Sequence, residues 1–511
     1  MTARLNSPSP LRGSNGVAFG PDGRLYVAQF LAGRISAVDT ATGDIETVVP
    51  EGGPVQAPDD LAFGADGAMY IADLVPNLVW KRTPRGEFEV VSDEVKVPNG
   101  ITCVGDRLFV NEMRPGGRLL ELAPDGGESA VLTEGLALGN AMQAGPDGRL
   151  YYPHMLTGQV WRIEPDGGTP ELVAEDVHQP VAVRFDRGGT LYVLSRGPEG
   201  YVTRIAADGT RTLLTTGLTA LDNAAFDTEN RMYVSSYAAG GVTELLPDGR
   251  TRDLVPRGLA GPYGVTVDLG GRVHAADHYR ITDAAARTRH LLPPFAHGIT
   301  NAAGLLHLTS QYGEIHTYDP DAGTTTVRAK GLAEPTGITV APDGTIVVAE
   351  SGAGRVVTLD DGDTLTVLAE GLDHPVDVAF DTEGRCLVSD DRAGVVVRIE
   401  ADGTEVTVAD GLDAPQGLAV LGNRLFTVET GPRRLTSVDL TTGERRTEAD
   451  DLPVTAPSPD PPALFTHGMT GSPRPFAGLA VAPDGTLLLS ANGEGTVRRL
   501  NPTAERQRTT T

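Results

Sequence analysis

The chain has 511 residues and a formal net charge of −26, from 42 Lys and Arg against 68 Asp and Glu. Such a surface repels nucleic acid and anionic lipid, so neither is an expected partner. No apolar run of 18 residues is present and the N-terminal MTARLNSPSPLRGS lacks the apolar core of a secretory signal, so we expect neither a membrane span nor export. Cys103 and Cys386 lie in apolar runs and make no disulfide framework, which favours a cytoplasmic location.

Short strand-like runs, separated by Gly, Pro and Asp-Gly, fill the sequence. This punctuation predicts an all-β protein. The phrase NGVAFGPDGRLYVA at 15–28 returns as DDLAFGADGAMYIA at 59–72 and as PTGITVAPDGTIVVAE at 335–350. The chain is therefore built from internal repeats, and their number decides the fold.

Each repeat can be anchored on the residue just before its first apolar run. The first and last anchors are eleven steps apart, which gives a mean spacing of 42 residues. The anchors are Asn15, Asp59, Asn99, Asn140, Val181, Asp222, Tyr263, His297, Thr336, Val376, Gln416 and Ala477. Each repeat holds four strand-like segments, as one propeller blade does. We predict two tandem six-bladed β-propellers with twelve four-stranded blades. A solenoid is the weaker alternative, because blades need radial closure to protect their edges.

The predicted domains are residues 1–258 and 259–511. Closure of each ring is open at this point: the sixth repeat has its own fourth strand at 251–255, whereas the twelfth could use the tail TAERQRTTT or residues 1–12. The Pro-rich insertion 451–476, which contains His467, is expected to be a surface loop, a lid over the second propeller or a contact between domains. Since each propeller closes on itself, we expect a monomer.

The anchors of one propeller converge on one mouth of its central channel. In the first half, five of the six carry side-chain oxygen: Asn15, Asp59, Asn99, Asn140 and Asp222. Hard cations such as Ca²⁺ or Mg²⁺ prefer such oxygen donors, and Zn²⁺ or Mn²⁺ could substitute. Turn preference also places Asn and Asp before strands. However, turn preference would act equally in the second half, whose anchors include no carboxylate.

The repeated GVAFGPDGRLYVA phrase, with PNGI at 98–101 and LDNAAFD at 221–227, resembles the SMP-30/gluconolactonase/luciferin-regenerating-like family of six-bladed propellers, and the repeat style resembles NHL-type propellers. In the former family, a Glu, two Asn and an Asp before inner strands bind a divalent metal. The resemblance implies that Asn99 and Asn140 are ligands and that Asp222 is both ligand and base. The chain departs from the family at Asn15, where a Glu is expected, and at Val181, which separates Asn140 from Asp222.

These residues predict a metal-dependent hydrolase that acts on a lactone or related ester of a small molecule. The metal would polarise the carbonyl, Asp222 or Asp59 would accept the proton of the attacking water, and Asn99 and Asn140 would bind the metal or the oxyanion. His154 at the rim is a candidate acid or substrate contact, although a lone His near a loop is more often structural. A lyase or cyclase is the alternative, because the repeats also resemble virginiamycin B lyase and the same layout would abstract an α-proton.

A third hypothesis is a non-catalytic double propeller that binds a protein or a small ligand. The second mouth would then offer Tyr263, His297 and Gln416 to an organic ligand, or would be the true active site with His297 as base. The surrounding rim residues are Asp277, His278, Glu350, Asp390 and Glu429. The first mouth ranks higher because the second ring has no anionic ligand.

Overall fold

The computed structural model describes residues 2–124, 129–285, 287–456 and 474–502. These residues contain two short 3₁₀ helices, Phe30–Ala32 and Ser351–Ala353, and no helix in the described ranges is long and apolar enough to cross a membrane. Both cysteines are free thiols. The described strands form ten four-stranded sheets and one six-stranded sheet, which confirms the predicted all-β, tandem-propeller fold.

The first compact unit runs from Ser9 to Ala260 and contains six antiparallel sheets, which we number blades 1 to 6. Each blade has its strands in chain order from the channel outward. The strands are Ser14–Phe19, Leu25–Gln29, Arg34–Val38 and Ile45–Val49; Pro58–Phe63, Met69–Asp73, Leu78–Arg82 and Phe88–Ser92; Pro98–Val104, Arg107–Glu112, Pro115–Leu122 and Ala130–Ala137; Gln143–Ala144, Leu150–His154, Gln159–Ile163 and Glu171–Ala174; Pro180–Phe185, Leu191–Ser195, Tyr201–Ile205 and Arg211–Thr215; and Leu221–Phe226, Met232–Ser236, Val242–Leu245 and Thr251–Val255.

The second unit combines the N-terminal segment up to Pro8 with the described chain from Gly261 onward. Its strands are Val265–Val267, Val273–Asp283, Thr288–Ala302, Leu305–Ser310, Glu314–Asp319 and Thr324–Lys330; Pro335–Val340, Ile346–Glu350, Arg355–Leu359 and Leu365–Glu370; Pro375–Phe380, Cys386–Asp390, Val395–Ile399 and Glu405–Ala409; Pro415–Leu421, Arg424–Glu429, Arg434–Asp439 and Arg445–Ala449; and Leu479–Val481, Leu487–Ala491 and Thr496–Leu500 with Thr2–Arg4. The six-stranded sheet merges the seventh and eighth repeats, because one long hairpin, Val273–Asp283 with Thr288–Ala302, serves both.

Both rings close among the described residues. In the first unit the inner strand of blade 1 contacts the inner strands of blades 2 and 6, and in the second unit Val265–Val267 contacts Leu479–Val481. The last sheet obtains its fourth strand from the N-terminus, since Thr2–Arg4 pairs antiparallel with Thr496–Leu500. The domain limits predicted from sequence therefore differ at the N-terminus, where residues before Ser9 belong to the second unit. The tail from residue 503 and most of the 451–476 insertion, including His467, lie outside the described residues.

The Asp-Gly turn that recurs between the first two strands has a local cause. In blade 1 the N–H of Gly23 donates to the carbonyl of Gly20 over 3.0 Å, and the N–H of Arg24 donates to Asp22 Oδ1 over 3.1 Å. Gly23 has φ +78°, a left-handed conformation that glycine adopts without a Cβ penalty. The apolar core then forms between neighbouring blades: Tyr26 of blade 1 packs edge-on against Phe63 of blade 2, with ring centroids 4.9 Å apart.

A β-bulge interrupts the inner strand at the anchor position. In blade 1 the register shifts between Ser14 and Val17, and in blade 2 it shifts between Pro58 and Asp60. The same shift occurs in blades 3, 5 and 6 and in four inner strands of the second unit. A bulge adds one residue to the strand and re-aims its side chain. The anchors are thus placed by a repeated backbone irregularity at the channel mouth.

Candidate functional site

The first mouth brings together side chains from neighbouring blades around Asp59. Asn15 Nδ2 donates to Asp59 Oδ1 over 2.9 Å, and Asn99 Nδ2 donates to Asp59 Oδ2. Asp59 is 5% exposed and Asn99 is 1% exposed. Blades 1, 2 and 3 therefore meet at one buried carboxylate, which is the placement that the repeat spacing predicted.

Asn140 takes a different position in this ring. Its Oδ1 accepts the N–H of Ala141 over 2.7 Å, and its Nδ2 lies 3.5 Å from the sulfur of Met113. Asn99 Nδ2 also approaches that sulfur, at 3.1 Å. The thioether of Met113 thus covers the side of the mouth formed by blades 3 and 4, and Asn140 commits its oxygen to the backbone. Sequence reasoning missed Met113, which directly follows a second strand.

Asp222 completes an arc over four consecutive blades: Asp222, Asn15, Asp59 and Asn99. Its carboxylate accepts no hydrogen bond from the described residues. Burial, followed by the negative charges of Asp59 and Asp60, raises the pKa of Asp222 well above its ordinary value. Burial and the charge of Asp60 likewise raise the pKa of Asp59 to about 7. Two buried acids that disfavour each other's ionisation are typical of functional sites.

A second layer beneath the anchors holds this arc, and sequence reasoning missed it. Asp60 accepts hydrogen bonds from the N–H of Leu61 over 2.9 Å, from the N–H of Ile101 over 3.3 Å and from Asn223 Nδ2 over 3.0 Å. The guanidinium of Arg184 lies 3.9 Å from Asp60 and donates from Nε to the carbonyl of Ala224 over 2.8 Å. Blades 2, 3, 5 and 6 are therefore tied together in the channel. The sequence signal for this second layer is a pair of consecutive polar residues at an anchor, Asp-Asp at 59–60 and Asp-Asn at 222–223.

A collar surrounds the arc, made by the residue that follows the second strand of each blade. Its members are Phe30, Leu74, Met113, Met155, Arg196 and Tyr237. In blades 2 to 6 the N–H of this residue donates to the carbonyl two residues before the anchor, as Leu74 does to Ala57 over 3.0 Å and Arg196 does to Gln179 over 3.0 Å. This repeated hydrogen bond fixes the collar relative to the anchors. Five of its six side chains are apolar or aromatic, and Arg196 is the charged one.

The rim carboxylates that sequence reasoning placed around the mouths have structural hydrogen bonds instead. Glu350 Oε1 accepts the N–H of Ala333 over 2.7 Å, and Asp277 Oδ1 accepts the N–H of Gly261 over 2.9 Å. Asp277 also accepts Arg280 Nε over 2.7 Å. Each such carboxylate bonds a backbone N–H 16 or 17 residues upstream, as Asp73, Glu112, Asp390 and Glu429 also do. These acids fasten the loop that enters the inner strand, and the hydrogen bonds of Asp277 and Glu350 serve the fold whether or not either residue contacts a substrate.

His154 is the predicted rim residue of blade 4, and the structure does not bring it to the carboxylates. Its ring lies 5.7 Å from the ring of Tyr152 and 5.8 Å from that of Trp161. Residues i and i+2 of a strand share a face, and Tyr152 faces the core between blades 3 and 4. Burial lowers the pKa of His154 to about 4, so the imidazole is neutral at pH 7. The structure therefore assigns His154 a packing role.

The second mouth is filled by its own chain. Phe476 packs with Tyr263 and Val376, and its ring lies 5.6 Å from that of His297. His297 Nε2 is 2.8 Å from the carbonyl of Arg474. Gln416 Oε1 accepts the N–H of Ala477 over 2.9 Å, and burial lowers the pKa of His297 to about 4.

His278 also lies within this apolar surrounding, 6.4 Å from Tyr263 between ring centroids, and burial lowers its pKa to about 3. The predicted ligand residues Tyr263, His297, Gln416 and His278 thus contact the segment around Phe476 or one another. The second mouth is therefore occupied by side chains of its own chain.

The oxygen donors of the first mouth fit a hard cation only as a mixed set. The described residues contain no cluster of three or more His, Cys, Asp or Glu side chains suited to a metal ion. A cation would therefore need amide oxygens beside Asp59 and Asp222. Asn15 Oδ1 is buried and has no hydrogen-bond partner, so it is an unsatisfied acceptor next to both carboxylates in ring order. Two carboxylates with the amides of Asn15 and Asn99 suit Ca²⁺ or Mg²⁺, whereas the oxygen of Asn140 already accepts the N–H of Ala141.

Comparison with known proteins gives structural matches alone. No protein-family model matches the chain, and no curated protein matches its sequence. Solved structures that match include a streptogramin B lyase, with 17% identity, 68% of this chain and 94% of that chain covered, and a TM-score of 0.35. A gluconolactonase from Xanthomonas campestris matches with 14% identity, coverage of 46% and 86%, and a TM-score of 0.39. The calcium-binding protein regucalcin from Agrobacterium tumefaciens matches with 19% identity, coverage of 45% and 84%, and a TM-score of 0.37. At these values the matches carry no argument about activity.

Proposed function

We propose that the first propeller is a divalent-cation-dependent hydrolase that acts on a lactone or related ester of a small molecule. The observation that carries this proposal is the buried pair Asp59 and Asp222, neither of which forms an ion pair with a cationic side chain of the described residues. Burying two ionised carboxylates that have no ion-pair partner is costly, and a bound cation would offset that cost. The motif resemblance drawn from the sequence agrees with a metal at this mouth.

Different residues of the arc would bind the cation, accept the proton and position Asp59. Asp59, Asp222, Asn15 and Asn99 would hold Ca²⁺ or Mg²⁺, which supplies polarisation of the ester carbonyl. Asp222 would accept the proton of the attacking water, because its carboxylate is not engaged by protein donors. The amides of Asn15 and Asn99 would keep Asp59 ionised and in place through the hydrogen bonds described above. Arg184 and Asn223 would hold Asp60, and with it the strand that carries Asp59.

The test compares Asp222→Asn with Asp377→Asn. Asp377 is a buried acid of the second propeller, 7% exposed, whose pKa burial raises to about 7. It is therefore a matched control for the loss of one buried carboxylate. We expect hydrolysis of a lactone panel by the wild type to require Ca²⁺ or Mg²⁺, to stop in EDTA and to fall at least 100-fold in Asp222→Asn but not in Asp377→Asn, as loss of general-base catalysis does.

Elimination is the alternative outcome of the same assay, because a base beside a polarised carbonyl can also take an α-proton. It would yield an unsaturated product that absorbs in the ultraviolet, whereas hydrolysis releases acid without that absorbance. Activity that persists in EDTA and in Asp222→Asn would refute the proposal.

A further inference from the structure

Arg196 is the charged member of the collar and the partly exposed one. The other five collar residues are buried, with exposures from 0% for Leu74 to 7% for Tyr237. Its position follows from the repeat, since its N–H makes the same backbone hydrogen bond as its counterparts on the other blades. The blade that presents Arg196 is also the one whose anchor, Val181, lacks a polar side chain. Among the collar side chains, that of Arg196 therefore reaches solvent.

The guanidinium of Arg196 makes weak interactions with an aromatic ring and a thioether sulfur. Its Cζ lies 5.9 Å from the centroid of the Tyr237 ring, and Nη1 lies 3.6 Å from the sulfur of Met155. Its Nε is buried and has no hydrogen-bond partner. It forms an ion pair with no carboxylate of the described residues, although the chain carries 68 Asp and Glu. Apart from a side-chain hydrogen bond with Tyr237, the planar fork that binds carboxylates in a bidentate manner has no polar side-chain partner, and no carboxylate of the described residues occupies it.

Arg196 also lies within electrostatic reach of the proposed catalytic base. Burial and the charges of Asp59 and Asp60 raise the pKa of Asp222, and the positive charge of Arg196 opposes that rise. A ligand held by this guanidinium would therefore lie at the same channel mouth as Asp222. Apolar collar members flank the same position, since Met155 and Tyr237 both contact Arg196.

We propose that Arg196 binds a carboxylate group of the ligand, so that the substrate is an anionic ester or lactone with an apolar body. That the ligand is a substrate rests on the proposed function. That Arg196 binds a carboxylate with an apolar body does not depend on it. Met155 and Tyr237 contact the apolar part, and the guanidinium fork takes the carboxylate. Arg196 sets specificity and takes no part in the chemical step.

Binding of two probes tests this assignment without requiring catalysis. Hexanoate and its neutral isostere hexanamide are titrated calorimetrically into the full-length wild type in the presence of Ca²⁺. We expect hexanoate to bind about 10- to 100-fold more tightly than hexanamide, from the usual strength of hydrogen bonds to a charged group. Arg196→Met should abolish the difference, and Arg196→Lys should retain only part of it because lysine lacks the fork.

Arg204→Met is the matched control. Arg204 is on the third strand of the same blade, lies 5.4 Å from the centroid of the Tyr192 ring and also has an unpartnered Nε, but it is not a collar residue. Arg204→Met should leave the preference for hexanoate intact. Equal binding of the two probes, no binding of hexanoate, or an unchanged preference in Arg196→Met would each overturn the proposal.

Hydrolysis separates this inference from the proposed function. Para-nitrophenyl butyrate and mono(para-nitrophenyl) succinate differ at one end by a carboxylate. A preference for the succinate ester that Arg196→Met removes supports both statements. Cation-dependent hydrolysis of both esters at equal rates would retain the proposed function and overturn the role of Arg196. Selective binding of hexanoate without hydrolysis of either ester would retain the carboxylate-binding role of Arg196 and overturn the proposed hydrolase activity.

Discussion

Replacing Asp59 with Asn should remove a large pH-dependent loss of stability from the first propeller. Burial and the charge of Asp60 raise the pKa of Asp59 to about 7, from 3.8 in the unfolded chain. The folded protein therefore binds the proton more tightly than the unfolded chain does. The sign follows directly: stability is highest below the unfolded pKa and falls as the pH rises through this interval.

The magnitude follows from the same two values. One pKa unit corresponds to 1.36 kcal/mol, so Asp59 costs the metal-free protein about 4 kcal/mol of unfolding free energy once the pH exceeds 7. About 3 kcal/mol of this loss falls between pH 5 and pH 8, because the unfolded carboxyl is already largely ionised at pH 5. The wild type in EDTA should lose that amount relative to Asp59→Asn over this pH range. Saturating Ca²⁺ should reverse the loss at pH 8, since it neutralises the ionised pair.

The chain offers a selective assay for this prediction. Both tryptophans, Trp80 and Trp161, belong to the first unit, so urea unfolding followed by tryptophan fluorescence reports on that propeller. Asp377→Asn is the control, because it removes a buried acid from the second unit and should not change the fluorescence-detected transition. An equal pH dependence in the wild type and in Asp59→Asn would refute the reasoning.

Three further predictions concern packing and closure. Deleting residues 1–8 removes the strand Thr2–Arg4 and should lower the thermal midpoint of the second propeller, measured by circular dichroism. The unfolding transition detected by tryptophan fluorescence should stay unchanged. A shift in both transitions would contradict independent closure of the two rings. Gly337→Ala should destabilise the second propeller by about 1–3 kcal/mol in urea titrations, because a Cβ there overlaps the carboxylate of Asp377; unchanged stability would contradict the close approach. His154→Phe should keep ester hydrolysis within about twofold, as expected for a packed ring, whereas a tenfold loss would return His154 to the catalytic machinery.

The sequence predicted the ring because the ring depends on spacing. Repeats of 40 or 41 residues over most of the first half place equivalent residues on equivalent strands, so the approach of Asn15 and Asn99 to Asp59 followed from counting. The spacing of the repeats does not predict the β-bulge at the anchor. The bulge places two consecutive residues in the channel, which is why Asp60 was missed although it adjoins Asp59.

Hydrogen bonds between loops and strands are a second feature that spacing could not predict. Glu350 was predicted as a substrate contact at the rim of the second mouth. Its hydrogen bond to a backbone N–H 17 residues upstream is visible only when the path of the loop is known. The same holds for Asp277. The merged seventh and eighth repeats reflect the unusually short step of 34 residues from Tyr263 to His297, a signal that the sequence contained but that did not specify a shared hairpin.

Proton release on cation binding tests the central claim most directly. If Asp59 and Asp222 hold a cation at the first mouth, Ca²⁺ binding at pH 7 should displace protons, because burial raises the pKa of both carboxyls in the metal-free protein. Titrating Ca²⁺ into weakly buffered protein should release protons, in an amount that saturates when about one Ca²⁺ is bound per chain. Asp222→Asn should abolish this release and Asp377→Asn should retain it. Absence of proton release, or an identical release in Asp222→Asn, would contradict the account.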